Sequence, residues 1–548
     1  MAIPLTKIIF PYNIHMQKTF PLKYHVPTPI TGGQVPFLRL ARREDRQQKC
    51  REVIALSQED YCTVAELDIK EAKDNNEEIT IPKEPERKLA DIWRDIHGVD
   101  DWDGMLDPLD PLLRSELIRY GEMVQACYDA FDFEPFSKYC GCCKYAPSEF
   151  FECLGMTQHG YQVNSYIHAT YNINLPNIFQ RSLRPDAWSH TANWIGYIAV
   201  SNDEMSAHLG RRDITIAWRG TKTKLEWIAD FMYFLRPITL KKIPCPDPRV
   251  KVESGFLNLY TNKDQSSQIC KRSAREHVLE EVRRLVSQYQ NENLSITITG
   301  HSLGSALAIL SAYDIAETGV DVMDDGQAVP ICVFSFAGPR VGNTRFKERL
   351  AQLGVKVLRV VNIHDKIPEA PGLFLNEHIP PMLRKLGEAS LWFYSHVGAE
   401  LTLDHKSSPF LKETNDLACY HNLEAHLHLL DGLVYFSLVD KSHQRTKLRL
   451  GNSMNHFKGP QLECKFHQEA AMQFIKTVPN APQKYQGKGQ RFVLTSGRDI
   501  ALVNKQADFL KDHLLVPPNW QQHENKGLVR NNEGRWVQRE WLNLGDYP

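Results

Sequence analysis

No uninterrupted apolar run of about eighteen residues occurs anywhere in the 548-residue chain, which argues against a membrane-spanning helix and points to peripheral contact with any membrane. Net charge is also missing. The 65 lysines and arginines nearly balance 66 aspartates and glutamates, so nothing calls for a nucleic-acid partner or a strongly anionic surface. Cysteine is sparse: 12 residues at irregular spacing are far too few for a disulfide scaffold, and a reducing compartment fits better. The tightest group is Cys140-Gly141-Cys142-Cys143, with Cys153 nearby. It lacks a second Cys-x-x-Cys pair or a spaced histidine pair, so it reads as free thiols packed in a loop, with no metal. Internal repeats are absent as well.

Acid is missing from one region in particular. Residues 1–43 carry Lys7, Lys18, Lys23, Arg39, Arg42 and Arg43, and the first acid is Glu44. That asymmetry resembles an organelle transit peptide, although the stretch has several prolines and no serine; the alternative is a disordered basic arm. It has no continuous apolar core, which excludes a secretory signal. We divide the chain into a basic arm (1–60), an acidic linker (61–88), a helical cover region (89–190), a catalytic core (191–434), an irregular insertion (435–484) and a C-terminal part of the same domain (485–548).

What is present centres on Ile296-Thr297-Ile298-Thr299-Gly300-His301-Ser302-Leu303-Gly304-Ser305-Ala306. A β-rich run leads into Gly-x-Ser-x-Gly and then into a helix start with small residues. A strand-to-helix turn tight enough to expose a serine Oγ needs unusual backbone angles and close helix–strand approach, which the glycines Gly300 and Gly304 permit around His301. Leu294 to Thr299 is β-patterned and Leu303 to Glu317 is helical, the context the motif demands. Ser302 is the expected nucleophile.

The surrounding chain alternates helix and strand. Leu112 to Phe131 repeats apolar residues at three and four, giving an amphipathic helix behind Pro108 and Pro111. Strands are expected at Trp194–Val200 and Ile214–Trp218, separated by a polar turn over 201–212. A charged helix over Lys271–Tyr289 presents Val278, Val282, Leu285 and Val286 on one face. Two further apolar runs follow, 330–336 and 355–363. Strands alternating with helices predict an α/β sheet. Leu528-Val529 and Trp536-Val537 around Asn531–Gly534 predict a terminal hairpin.

A serine hydroxyl needs an imidazole base, and the imidazole needs a carboxylate to fix its tautomer. In α/β-hydrolases, where such elbows occur, the order is serine, acid, histidine. Asp365, directly after the run Val357–Ile363, is the favoured acid; Asp324, Asp325 and Asp404 compete without so clear a strand before them. Of His378, His396, His405, His421, His426 and His428, His421 lies in a loop at the entrance of a helix carrying Leu423, Leu427 and Leu430, where a base can reach across to another strand. His421 and His426 are five apart, unlike the zinc motif His-Glu-x-x-His. The oxyanion requires two backbone N–H donors, assigned to Leu303 and Thr221 of Trp218-Arg219-Gly220-Thr221. The aromatic stretch Leu225–Leu235 beyond it is open to two readings, a lid or acyl-chain surface and a core helix.

At these residues the chain resembles the plant class 3 lipases of chloroplast phospholipase A1 type. The resemblance rests on Leu89–Gly98, Ala217-Trp218-Arg219-Gly220-Thr221, Thr299–Gly304, Phe336–Asn343, Val361-Asn362-Ile363-His364-Asp365, His421-Asn422-Leu423-Glu424 and Asp499–Lys505, spread over residues 89–548. It implies an α/β-hydrolase fold, with a mostly parallel central sheet flanked by helices and an N-terminal helical extension, a Ser302-Asp365-His421 triad, no cofactor, and release of the sn-1 fatty acid from phospholipids, with galactolipids and triacylglycerols as further substrates. It also implies plastid location, a glycerolipid partner, peripheral membrane contact and no obligate protein partner. The segment 435–484 interrupts the family pattern. Two other functions compete: a noncatalytic lipase-like scaffold and a soluble carboxylesterase.

Overall fold

Leu294–His301 is buried at every position, as a strand must be when helices cover both faces of its sheet. In the computed structural model it is the fourth of seven strands. The structure describes residues 87–170, 192–221, 235–241, 243–267, 269–372, 393–434 and 496–520, with short stretches at 182–183, 187, 376, 491–492, 494, 528–530 and 536–538. All lie in the unit Glu86–Pro548. The basic arm, the linker through residue 86, and the insertion 435–484 lie outside the described residues.

The sheet runs β1 (Tyr161–Thr170), β2 (Ala192–Ser201), β3 (Arg212–Trp218), β4 (Leu294–His301), β5 (Ile331–Phe336), β6 (Lys356–Asn362) and β7 (Ala399–Leu403), neighbours in space following the order in sequence. β1, β2 and β3 pair antiparallel; β3 through β7 are parallel. Parallel neighbours in sequential order require right-handed crossovers that all fall on one face. Helices there cover Ile214, Ile216, Ile296 and Ile298, among them α3 (Ala274–Gln288) with Val278, Val282 and Leu285, α4 (Leu303–Thr318) with Leu307 and Leu310, and α5 (Thr344–Gln352) with Phe346. Serine and asparagine start two of them. Ser273 and Glu276 close a capping box on α3, and the Asn343 side chain accepts the Phe346 N–H on α5.

Among the described residues no crossover covers the opposite face, and the two ends of the domain do so. α1 (Leu89–Ile96) and α2 (Pro111–Asp129) come from the N-terminal side and α6 (Leu423–Asp431) from the C-terminal side, burying Leu117, Val124, Leu427 and Leu430 against Ala217, Phe334, Phe336 and Val360. At the foot of this layer Asp213 is completely buried and accepts hydroxyl bonds from Tyr120, Tyr161, Thr215, Ser295 and Thr297 at 2.6–2.8 Å. Burial alone would raise its pKa, but the Arg211 guanidinium and these hydroxyls hold it well below the usual carboxylate range.

Two expectations require correction. The cover region 89–190 is not purely helical, because Tyr161–Thr170 forms β1, so the sheet begins before residue 191. Two register shifts bulge this edge strand and blur its alternation. The segment 201–212 is no simple turn either. Asn202 caps a helix over Asp203–Leu209, which Gly210 ends in a left-handed conformation. β7 was not foreseen: its outward positions are polar, as suits an edge strand. The terminal hairpin is present, Leu528–Arg530 pairing antiparallel with Trp536–Gln538.

Candidate active site

Ser302 sits between β4 and α4 with φ 59° and ψ −126°, a backbone conformation that side-chain-bearing residues rarely adopt. Strain of this kind, about 1–3 kcal/mol, persists only where the surroundings over-determine it. Here the Ser302 N–H donates to the Phe336 carbonyl at 2.9 Å, and the Ser302 carbonyl accepts the Ser305 N–H at 3.0 Å. Glycine permits the rest: a Cβ on Gly304 would overlap the Trp218 carbonyl, and one on Gly220 would stand 2.6 Å from the His301 carbonyl. The turn Arg219-Gly220-Thr221 is therefore pressed directly against the elbow. Arg219, buried over the Phe131 ring at 3.7 Å, fixes that turn by donating to the Gly220 and Trp194 carbonyls. Burial pulls its guanidinium pKa down to about 10, still charged at neutral pH.

Asp365 follows β6 by three residues, its N–H bonded to the Asn362 carbonyl. One carboxylate oxygen accepts the Ile367 N–H at 2.9 Å and the other accepts from His421 Nδ1 at 2.6 Å. His421 ends a short helix, Leu417–Tyr420, immediately before Asn422, whose side chain caps α6. Both members of the pair are buried, at 3% and 6% exposure. With Nδ1–H committed to the carboxylate, neutral His421 presents an unprotonated Nε2. That atom and Ser302 Oγ are both buried, and neither has a hydrogen-bond partner among the described residues.

The expected oxyanion donors flank the serine. Leu303 is the first residue of α4, so the helix does not use its N–H; Thr221, half-buried, ends the turn behind Gly220. The aromatic stretch falls outside the described residues up to residue 234. The competing acids are placed elsewhere: Asp324 and Asp325 are exposed, and Asp404 pairs with His364 at 3.1 Å. His426 Nδ1 bonds the Asn422 carbonyl within its own helix, His428 Nε2 meets Ser408 Oγ, and His396 Nε2 meets the Pro368 carbonyl. His378 lies outside the described residues.

Sequence reasoning missed the supports of this site. His301 donates from Nε2 to the His421 carbonyl at 2.8 Å, and its ring packs 4.6 Å from that of His421. Burial holds His301 neutral, so Nδ1 must accept, and Tyr128 of α2 donates to it at 2.7 Å. The Tyr128 oxygen also accepts from the Gly220 N–H. One hydroxyl from the cover helix thus touches both the residue before Ser302 and the turn that ends in Thr221. Asn362, fully buried, donates from Nδ2 to the Tyr420 carbonyl and steadies the approach to the base. Arg498 joins Glu122 of α2 to Glu424 of α6 at 2.9 and 2.6 Å, anchoring its own segment to the helix that follows His421. Only a periodic aromatic position near the end of α2 hinted at any of this.

A sequential parallel sheet carrying a strained serine at a strand–helix turn, with a carboxylate–imidazole pair delivered by later strand and helix ends, defines the α/β-hydrolase class. Within it the chain belongs to the class 3 lipases, whose family signature matches residues 215–375. It is 54% identical over 468 residues to phospholipase A1-Igamma2, chloroplastic, of Arabidopsis thaliana, covering 85% of this chain and 79% of that one. It is also 44% identical over 349 residues to galactolipase DONGLE, chloroplastic, of the same plant, covering 63% and 70%. Among solved structures, the Lip2 lipase of Yarrowia lipolytica overlaps 56% of this chain and 83% of its own at 17% identity with a TM-score of 0.35; the assignment does not rest on it.

Proposed function

We propose that the protein is a glycerolipid acyl hydrolase of phospholipase A1 type, with Ser302, His421 and Asp365 as its catalytic triad. The observation that carries the chemistry is the buried 2.6 Å bond between Asp365 and His421 Nδ1, which leaves Nε2 free to act as base. Nε2 takes the Ser302 proton as Oγ attacks the ester carbonyl, and Leu303 and Thr221 N–H groups receive the developing oxyanion. Imidazolium then protonates the departing lipid alcohol. Water, deprotonated by the same nitrogen, attacks the acyl-enzyme and releases the fatty acid. The substrate class follows from the relatives, named phospholipases A1 and a galactolipase, so sn-1 cleavage of phosphatidylcholine is the leading activity, with galactolipid and triacylglycerol hydrolysis beside it. Three relatives, 54%, 54% and 49% identical, are named chloroplastic, and the chloroplast is the corresponding location. No helix among the described residues is long and apolar enough to cross a membrane, which fits substrate taken from a lipid surface by peripheral contact.

Ser302→Ala tests this reading. Fatty-acid release from phosphatidylcholine vesicles should disappear and labelling by a fluorophosphonate probe should vanish, with the melting temperature preserved. Undiminished release by the variant would refute the assignment of Ser302. A folded wild-type protein that takes no label would favour a noncatalytic scaffold, and preference for dispersed over aggregated esters would favour a carboxylesterase.

A further inference from the structure

Behind the triad acid the sheet brings together three side chains that the reaction does not use. His364 follows β6 and immediately precedes Asp365. Asp404 and His405 follow β7, the neighbouring strand, and open a 3-10 turn over His405–Ser407. One ligand atom from each of the three lies within 4.8 Å of the others. His364 Nε2 is 3.1 Å from Asp404 Oδ1, and His405 Nδ1 is 3.9 Å from that same oxygen. The Lys406 N–H donates to Asp404 Oδ1 at 2.9 Å and aims the carboxylate.

The second observation concerns His405. Its side chain is 2% exposed, yet neither ring nitrogen has a hydrogen-bond partner among the described residues. Its ring is fixed by packing instead, 4.5 Å from His364, 4.6 Å from Tyr420 and 5.7 Å from Phe509. A buried imidazole with both nitrogens unsatisfied is a costly arrangement for purely structural packing. It is an ordinary one for a ligand awaiting an ion. The ion would have access: the Asp404 and His364 side chains are 43% and 26% exposed, and a solvent-open cleft of about 490 Å³, lined by His405, Lys412, Glu413 and Asp512 among others, adjoins the site.

We propose that His364, Asp404 and His405 form a binding site for a divalent transition-metal ion of the zinc type. Two imidazoles and one carboxylate suit zinc and its neighbours, whereas magnesium and calcium prefer sets made of oxygen. In a tetrahedral zinc site, nitrogen and oxygen ligands stand about 3.3 Å apart. The 3.1 Å pair already meets that spacing, and rotation of the two half-exposed side chains brings the third ligand in. Three protein ligands leave the fourth position to water. The ion would tie the carboxyl end of β6 to that of β7, directly under the loop that carries Asp365. It is a staple on the acid's mounting and takes no part in the acyl transfer. Sequence spacing could not reveal it, since His364 and Asp404 are 40 residues apart and meet only through strand pairing.

The test uses untagged, full-length protein stripped with a chelator and titrated with Co²⁺ and then Zn²⁺ alone. The expected result is one equivalent of Co²⁺ with the visible absorption of a four-coordinate nitrogen–oxygen site, displaced by Zn²⁺. Saturating Zn²⁺ should raise the melting temperature by about 3 °C. Asp404→Asn and His364→Gln, both at partly exposed positions, should each weaken binding at least tenfold, and His405→Ala should abolish it. Should His405→Ala fail to fold, the other two variants carry the test. No Co²⁺ spectrum at millimolar ion, or wild-type affinity in Asp404→Asn and His364→Gln, would overturn the proposal.

Discussion

Replacing Tyr128 by phenylalanine removes one oxygen at the far side of a histidine from the reacting atoms, yet it should slow the reaction. In the native protein that hydroxyl donates to His301 Nδ1 at 2.7 Å, which keeps the proton of His301 on Nε2, where it bonds the His421 carbonyl at 2.8 Å. Phenylalanine leaves Nδ1 buried without a donor and strands the Gly220 N–H that the same oxygen accepts. Each buried polar group deprived of its partner costs about 1–3 kcal/mol. The alternative tautomer offers no escape, because a lone pair on Nε2 would then face the His421 carbonyl. Where about 1.4–2.8 kcal/mol of that cost is expressed as misplacement of the base and of Thr221 in the transition state, kcat falls roughly 10- to 100-fold. KM on phosphatidylcholine vesicles should stay within about twofold, since no substrate-binding group is touched. The control is Tyr120→Phe, two turns earlier on the same helix, whose hydroxyl bonds Asp213 at 2.8 Å, away from the site. It should lower the melting temperature comparably and leave kcat unchanged. A Tyr128→Phe enzyme with wild-type kcat, or a Tyr120→Phe enzyme equally slowed, would refute the positioning role.

Other perturbations follow from buried charge. Glu253, which caps the helix Ser254–Thr261 by accepting the Gly255 and Phe256 N–H groups, is raised by burial from 4.5 to about 7. Between those values the folded protein keeps a proton that the unfolded chain has lost, so stability should decline as pH rises from about 4.5 to 7 and level off above, by at most about 3 kcal/mol. Glu253→Gln should flatten that slope in denaturant titrations; an unaltered slope would remove Glu253 as its origin. Arg498→Met should leave the Glu424 carboxylate buried and unpaired, costing about 3–5 kcal/mol by urea unfolding, with most of the loss recovered when Glu424→Gln is added. Equal stability of the single and double variants would show that the ion pair does not anchor the C-terminal segment.

The elbow and the acid were legible because each is written in a few adjacent residues: Gly300–Gly304 before a small-residue helix, and Asp365 directly after an apolar run. β4, β5 and β6 were legible for a related reason, since buried central strands are rich in apolar and β-branched residues, as in Ile296-Thr297-Ile298-Thr299. The polar outward positions of β7 and the bulges of β1 conceal edge strands from the same test. Tyr128, Asn362 and Arg498 were not legible because their meaning lies in partners 58 to 376 residues away. A tyrosine on an apolar helix face reads as core until the fold sets His301 against its hydroxyl. His421 is intermediate. Its loop position before a capped helix was visible, but the carboxylate that holds it arrives from a strand end 56 residues earlier.

The sheet order explains why the supports come from where they do. With five parallel strands in sequence order, the crossover helices among the described residues lie on one face, and α4, which has Ser302 at its start, belongs to that layer. The other face must be covered by chain from the two ends, and these are α2 with Tyr128 and α6 with His421 at its entrance. Ser302 and Asp365, with His301 and Asn362, lie within the family signature at 215–375, while His421, Tyr128 and Arg498 lie outside it. Assembly of the site therefore requires the N-terminal and C-terminal covers to dock on the same face at once, and Arg498, bonded to a glutamate on each, couples the two dockings. Loss of the N-terminal cover would expose Ala217, Phe334, Phe336 and Val360 and free His301 in the same step. Catalytic competence is in this way tied to completion of the core rather than to the elbow alone.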